Sequence, residues 1–247
     1  KTDSILMVNS FPQSYGKSQL LADGIKVDNM TEQGVYSFDE YAISVVPQNN
    51  GNGIWQGAKM VNNIVRVAVP DEMKNDVRIQ VDVDGLVKRA DGWNSSGIML
   101  FQDLDNYLFV GKRNHMDGVS TMLENNTNCI ETSGKSEDNA LVKTTFDFAL
   151  NGQEVVVSFL NQDGQWKNVG TFDVGFMADK ELKLGLISWL NGGANFIPSY
   201  SNVRMAKQSE VSRDDLKYAV EPIAFFKKFD NTRPVISKLE VADGQVN

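Results

Sequence analysis

The sequence predicts an all-β protein: a two-sheet antiparallel jelly-roll sandwich with a short C-terminal helical or linker extension. Three observations predict it. From about Ser4 to Met205 the chain is a train of short β-branched and aromatic runs broken by Asn, Gly and Asp, with no stretch of helical period. Val77-Arg-Ile-Gln-Val-Asp-Val83 alternates strictly, so Val77, Ile79, Val81 and Val83 share one face while Arg78, Gln80 and Asp82 share a wet one. Explicit hairpin chemistry joins the later runs at Asp103-Leu-Asp-Asn106, Asn151-Gly152 and Asp163-Gly164.

In chain order the expected strands are 34–36, 41–46, 64–69, 77–83, 97–101, 107–112, 120–124, 144–150, 154–160, 166–172, 183–189 and 200–205. The texture changes after Met205. Ser212 with Asp215 opens a helix, and Leu216, Ala219, Val220, Ile223 and Phe226 form an apolar stripe that Pro222 interrupts. Thr232-Arg-Pro-Val-Ile-Ser-Lys-Leu-Glu-Val241 reads like the first strand of another domain. The division is therefore 1–206 for the sandwich and 207–247 for helix, linker and the start of a following domain. The alternative is a tail packed across the sandwich. The opening Lys1-Thr-Asp-Ser4 carries neither an initiator Met nor a signal peptide, so the chain reads as a piece of a longer protein, a monomeric module of a multidomain chain.

Composition excludes several classes. A net charge of -8 with scattered Lys and Arg provides no basic stripe for nucleic acid. Apolar runs such as 98–101 and 155–157 are far too short to span a bilayer. His115 is the sole histidine, so no multi-His metal centre exists, and Cys129 has no partner for an internal disulfide. Asn49-Asn-Gly-Asn-Gly53 lacks the strand, helix and Lys-Ser/Thr pair of a phosphate loop.

Gly97-Ile-Met-Leu-Phe-Gln-Asp-Leu-Asp-Asn-Tyr-Leu-Phe-Val-Gly-Lys112 resembles the central hairpin of concanavalin A-like lectin/glucanase domains, of the laminin-G-like and xylosidase C-terminal type. Leu184-Gly-Leu-Ile-Ser188 and Tyr200-Ser-Asn-Val-Arg-Met205 look like that family's last two strands, with Ser201 where an aspartate is frequent. The resemblance, over residues 30–205, implies a concave sheet with a ligand groove on it or at its rim, in an extracellular, secreted or cell-surface protein. Glucanases of this fold set their acids at alternate positions of one strand. Here Asp82 with Asp84 is the nearest approach to such a pair, and no Glu-x-Asp-x-x-Glu occurs.

Sugar binding needs flat aromatic faces for C–H patches beside amides, carboxylates or Arg for hydroxyls. Trp93 lies in the polar loop Ala90-Asp-Gly-Trp-Asn-Ser-Ser96, and Trp189 precedes the amide-rich Asn191-Gly-Gly-Ala-Asn195. Tyr107, Phe109, Gly111 and Arg113 alternate onto one face of the hairpin; with Leu108 and Val110 turned inward, that face lines the groove, and Glu124 stands on the neighbouring strand. The expected ligand residues are Trp93, Tyr107, Arg113, Glu124, Trp189, Asn191 and Asn195, while Trp55 and Trp166 are assigned to packing. A structural calcium is expected at Asp103 and Asp105, whose loop offers oxygens, with Asp138-Asn139 as another loop of that kind. The sequence thus predicts non-catalytic binding of a glycan or polysaccharide. An adhesin contacting protein and a hydrolase with another carboxylate pair are the alternatives.

Overall fold

The structure is a computed structural model and describes residues 5–8, 17–32, 34–36, 39–193 and 195–227. The strand expected at 232–241 lies outside the described residues. In the first half the strands are β1 (Ile5–Val8), β2 (Lys17–Leu20), β3 (Ile25–Asp28), β4 (Val35–Tyr36), β5 (Ala42–Val45), β6 (Ile64–Ala68), β7 (Asp76–Asp84) and β8 (Ser95–Asp103). There follow β9 (Asn106–Arg113), β10 (Val119–Asn125), β11 (Asn128–Thr132), β12 (Lys143–Asn151), β13 (Glu154–Leu160), β14 (Trp166–Asp173), β15 (Lys183–Trp189) and β16 (Ser199–Ala206). All twelve expected strands are present. Helix α1 (Leu216–Ala219) is a single turn.

Two antiparallel sheets of seven strands form a sandwich. The first runs β11-β10-β9-β8-β15-β6-β3 and the second β14-β13-β12-β7-β16-β5-β4; β1 and β2 pair separately. Period-two alternation fills the space between them. Leu100, Leu108, Val110, Leu184 and Leu186 of the first sheet meet Val81, Val83, Phe146, Phe148 and Tyr200 of the second, all buried. Each such aliphatic or aromatic burial contributes about 1.5–3 kcal/mol before the entropy of ordering is charged against it.

The outer faces differ. The connection from β5 to β6 lies on the first sheet and buries a second apolar cluster, in which Ile54, Val61 and Ile64 pack with Met99, Tyr107, Phe109, Met122, Ile187 and Trp189. Asn50 donates its N–H to the Leu190 carbonyl and holds that connection down. On the second sheet, residues 207–227 form a strap across one half of the outer face. Arg78 Nε donates to the Val211 carbonyl, Gln80 to the Arg213 carbonyl and Arg204 Nε to the Val220 carbonyl. Arg213 lies over the Trp166 ring, whose indole N–H donates to Asp214. Ala22 N–H donates to the Phe225 carbonyl, and Leu21 bridges Phe226. Ser212 and Asp215 exchange hydrogen bonds before α1, as the sequence predicts, and Leu216 is buried while Ala219 is exposed.

A candidate groove on the second sheet

The half of the second sheet that the strap leaves open carries a groove of about 1140 Å³. Its floor follows from alternation: Val83 and Tyr200 point into the core, so Asp82, Asp84, Ser199 and Ser201 point out. Register then builds rows across three strands. Lys143, Asp84 and Ser199 stand side by side, and next to them Thr145, Asp82 and Ser201. Ser44 and Tyr36 continue the Asp84 row toward one edge of the sheet, and Leu160, Asn161, Gln162 and Gly164 line the opposite end.

Asp82 is held in place. The Thr145 hydroxyl donates to its Oδ1 at 2.6 Å, and the Asn202 amide donates to its Oδ2 at 2.8 Å. Both oxygens therefore accept a hydrogen bond. Asn202 reaches it through an irregularity in β16, where pairing with β7 shifts between Ser201 and Arg204 and Asn202 adopts φ +52°. Asp84, two residues on, is exposed. Gly85 turns the chain at φ +81°, and a side chain there would meet the Ile197 carbonyl at 2.7 Å. The groove thus sets carboxylates, hydroxyls, amides and one ammonium among apolar side chains such as Leu160 and Ile197, and it opens at the loop rim beside Leu141 and Ile197.

The residues expected to bind ligand lie elsewhere, and several are out of reach of any ligand. Leu108 and Val110 do point inward, yet the opposite face of the hairpin is sealed by residues 50–61. Tyr107 is fully buried, and its hydroxyl donates to the Ile54 carbonyl at 2.8 Å. Glu124 is fully buried, accepts the Gly57 N–H at 2.5 Å, and has its carboxyl pushed up by burial. Trp189 is 1% exposed and lies flat against Gly53, where an added Cβ would meet its ring at 2.3 Å. Arg113 is buried and paired with Glu131. Gly111 makes room for Gly97 across the strand, whose Cα would lie 2.7 Å from a Cβ there. Corrected in this way, the Tyr107 face is a covered apolar layer.

The rim keeps part of the expected set together. Trp93 is 58% exposed, its ring centroid 4.5 Å from that of His115, and its N–H donates to the Asn191 carbonyl. Asn94 Oδ1 accepts the N–H groups of Asn191 and Gly193. Asn195 is exposed on the same loop. Burial, followed by the neighbouring Arg113 charge, pulls the His115 imidazole down to about 4.

At the Asp103–Asn106 turn, where the sequence predicts calcium, both carboxylates have protein partners. Asp103 Oδ1 accepts the Asp105 N–H and the Asn106 amide, and Asp105 is 2.6 Å from the Lys59 ammonium, which already supplies its positive partner. Asp138 lies over the buried Lys112, whose ammonium donates to the Asp138 and Asn139 carbonyls. Among the described residues no three His, Cys, Asp or Glu side chains converge on a metal position. No helix of the described residues is long and apolar enough to cross a membrane. The groove was half legible in the sequence: Asp82 and Asp84 stood out, but only the pairing with β12 and β16 reveals Thr145, Ser199, Ser201 and Asn202 beside them.

No family model matches the sequence, and no curated protein does either. The fold, however, is shared with solved structures. A functionally unknown protein from Saccharomyces cerevisiae superposes with a TM-score of 0.58 at 12% identity, over 74% of this chain and 96% of that one. The GH43B protein of a Bacteroides ovatus xyloglucan PUL matches with a TM-score of 0.56 at 10% identity, over 77% of this chain. A xylan beta-1,4-xylosidase from Bacillus halodurans matches with a TM-score of 0.50 at 11% identity, over 67% of this chain. The chain spans 38% and 33% of those two proteins, so what it is similar to in each is one β-sandwich portion of a longer chain.

Proposed function

We propose that the chain binds a carbohydrate non-catalytically through the groove on the second sheet, as a concanavalin A-like module of a larger secreted or cell-surface protein. The observation that carries the reading is the row of Thr145, Asp82 and Ser201, with Asn202 fixing Asp82 from the side. Planar carboxylates and amides on a sheet present acceptors and donors at fixed spacing, which suits the hydroxyls of a sugar. Two of the solved structures with this fold are named for xyloglucan and xylan, which supports a glycan as ligand.

A second reading, glycoside hydrolysis, draws on Asp82 and Asp84. Two residues along a strand is about 7 Å, within the roughly 5–10 Å span of paired catalytic acids. Catalysis by such a pair needs one carboxyl kept protonated by an apolar pocket. Asp84 is solvated and Asp82 accepts two donated bonds, so the pair suits recognition better than proton delivery.

The test is a glycan array that includes xylan and xyloglucan, followed by titration of Asp82→Ala and Asp84→Ala. At least one variant is expected to weaken binding tenfold or more, about 1.4 kcal/mol, with little change in melting temperature. An array with no retained glycan would overturn the reading. Release of the chromophore from aryl glycosides, abolished by Asp82→Ala, would replace it with hydrolysis.

A further inference from the structure

The strap follows one row of the second sheet, from β14 to the start of β5. That row is Ser158, Asp147, Gln80 and Arg204, side by side on β13, β12, β7 and β16. Arg213 donates to the Ser158 hydroxyl at 3.4 Å, the Gln80 amide donates to the Arg213 carbonyl at 2.7 Å, and Arg204 Nε donates to the Val220 carbonyl at 3.2 Å. At one end Arg213 stacks 4.8 Å from the Trp166 ring centroid. At the other the Phe225 N–H donates to the carbonyl of Glu40, two residues before Ala42 of β5. Ser158, Asp147 and Gln80 are buried beneath this line.

The groove runs parallel to it. Thr145, Asp82, Ser201 and Ala42 form the first open row, and Lys143, Asp84, Ser199, Ser44 and Tyr36 the second, one step farther from the strap. The second row crosses five strands, which at the roughly 4.8 Å spacing of paired strands is about 19 Å, whereas the rows are only about 7 Å apart. The floor is therefore longer across the strands than along them, and its two long flanks differ. On the Asp82 side stands the strap, tied down by side chains and backbone. On the Asp84 side the sheet ends at the Gly85 turn, and the groove opens beside Leu141 and Ile197, which is 55% exposed.

Resting on the glycan-binding reading above, we infer that an extended glycan lies across the strands, and that the site admits side branches on the rim flank and rejects them on the strap flank. Straight rows suit an extended backbone such as a β-1,4-linked chain, in which successive rings face opposite ways. A branch on one unit, or on every second unit, then points over the rim. Branches on consecutive units send one of each pair toward the Gln80 row, where the strap already occupies the space. The selected class is a bare or sparsely branched chain.

The experiment is calorimetric titration of the intact chain with three probes: xylohexaose, the same chain with one arabinofuranosyl branch on an internal unit, and the same chain with branches on two consecutive internal units. The single branch is expected to leave affinity within about threefold of the bare chain, and the consecutive pair to weaken it by about tenfold or more. A larger loss from the single branch would show that the rim flank is closed. A smaller loss from the consecutive pair would show that the strap flank is open. Either result overturns the inference and leaves glycan binding intact. Absence of binding to the bare chain, on an array that retains some other glycan, overturns the assignment of an extended β-1,4 chain and the inference with it. An array that retains no glycan removes instead the reading on which the inference rests.

Discussion

Arg78 reaches the Asp147 carboxylate at 2.7 Å beneath the strap, while its Nε donates to the Val211 carbonyl at 3.1 Å. One guanidinium therefore ties a central strand pair to the C-terminal segment. Asp147 is 2% exposed, and burial pushes its carboxyl up even though Gln80 and Arg78 both donate to it. Removing the carboxylate would leave the largely covered Arg78 guanidinium without its counter-charge.

Asp147→Ala is therefore expected to cost roughly 3–5 kcal/mol, as breaking a buried pair does. For a chain of this size that corresponds to a fall of about 10 °C in melting temperature. The same variant should expose the strap to limited proteolysis between Ser209 and Asp214. A melting temperature within a degree or two of the parent would show that the pair does not hold the strap.

The two tryptophans expected to bind ligand should behave in opposite ways. Trp189→Ala empties a buried site and is expected to destabilise by about 3–5 kcal/mol. Trp93→Ala touches an exposed ring and should stay within about 0.5–1 kcal/mol. Urea unfolding of both variants checks this, and equal losses would contradict the burial difference.

Gly53 lies at φ +62° with the Trp189 ring in the place of its missing side chain. Gly53→Ala meets both backbone strain and overpacking, and a loss of about 2–4 kcal/mol is expected. Pairing it with Trp189→Ala should recover part of the loss, because the clash disappears with the ring. Strict additivity in a double-mutant cycle would count against this contact.

The single histidine gives a clean pH readout. Its folded value of about 4 lies below its ordinary 6.5, so the unfolded chain takes up the proton first as pH falls. The stability contributed by neutral His115 is complete above pH 6.5 and is lost between pH 6.5 and 4, by about 3 kcal/mol or less. NMR titration should place the midpoint near the lower value, and Trp93→Ala should raise it by uncovering the ring. In His115→Gln the acid loss over that window should be smaller than in the parent. A parent midpoint near 6.5 would refute the burial.

Strand positions were legible because period-two alternation and turn residues are local. Val77 to Val83 and the Asp163-Gly164 hairpin sit where their chemistry puts them. β11 was missed because Asn126 and Thr127 make its turn with left-handed backbone, and its pattern is almost wholly exposed. The binding face was misread for a different reason. Alternation correctly separated Tyr107 and Phe109 from Leu108 and Val110, but which face stays wet depends on where residues 50–61 lie, a contact about fifty residues away. The same holds for Trp189, which Gly53 covers. Trp93 was readable because its polar neighbours leave nothing to bury it.

The position of β16 has a consequence for how the chain reaches this state. It lies between β7 and β5, so the middle of the second sheet is supplied by the last of the described strands, and Asn202 meets Asp82 across 120 residues. During synthesis β7 has its β12 partner but an empty seat on its other edge until residue 206 has emerged. Folding is therefore dominated by distant pairings, on the slow side for a domain of this length. A nascent chain halted before β16 would carry two unpaired strand edges, which makes it a substrate for chaperones.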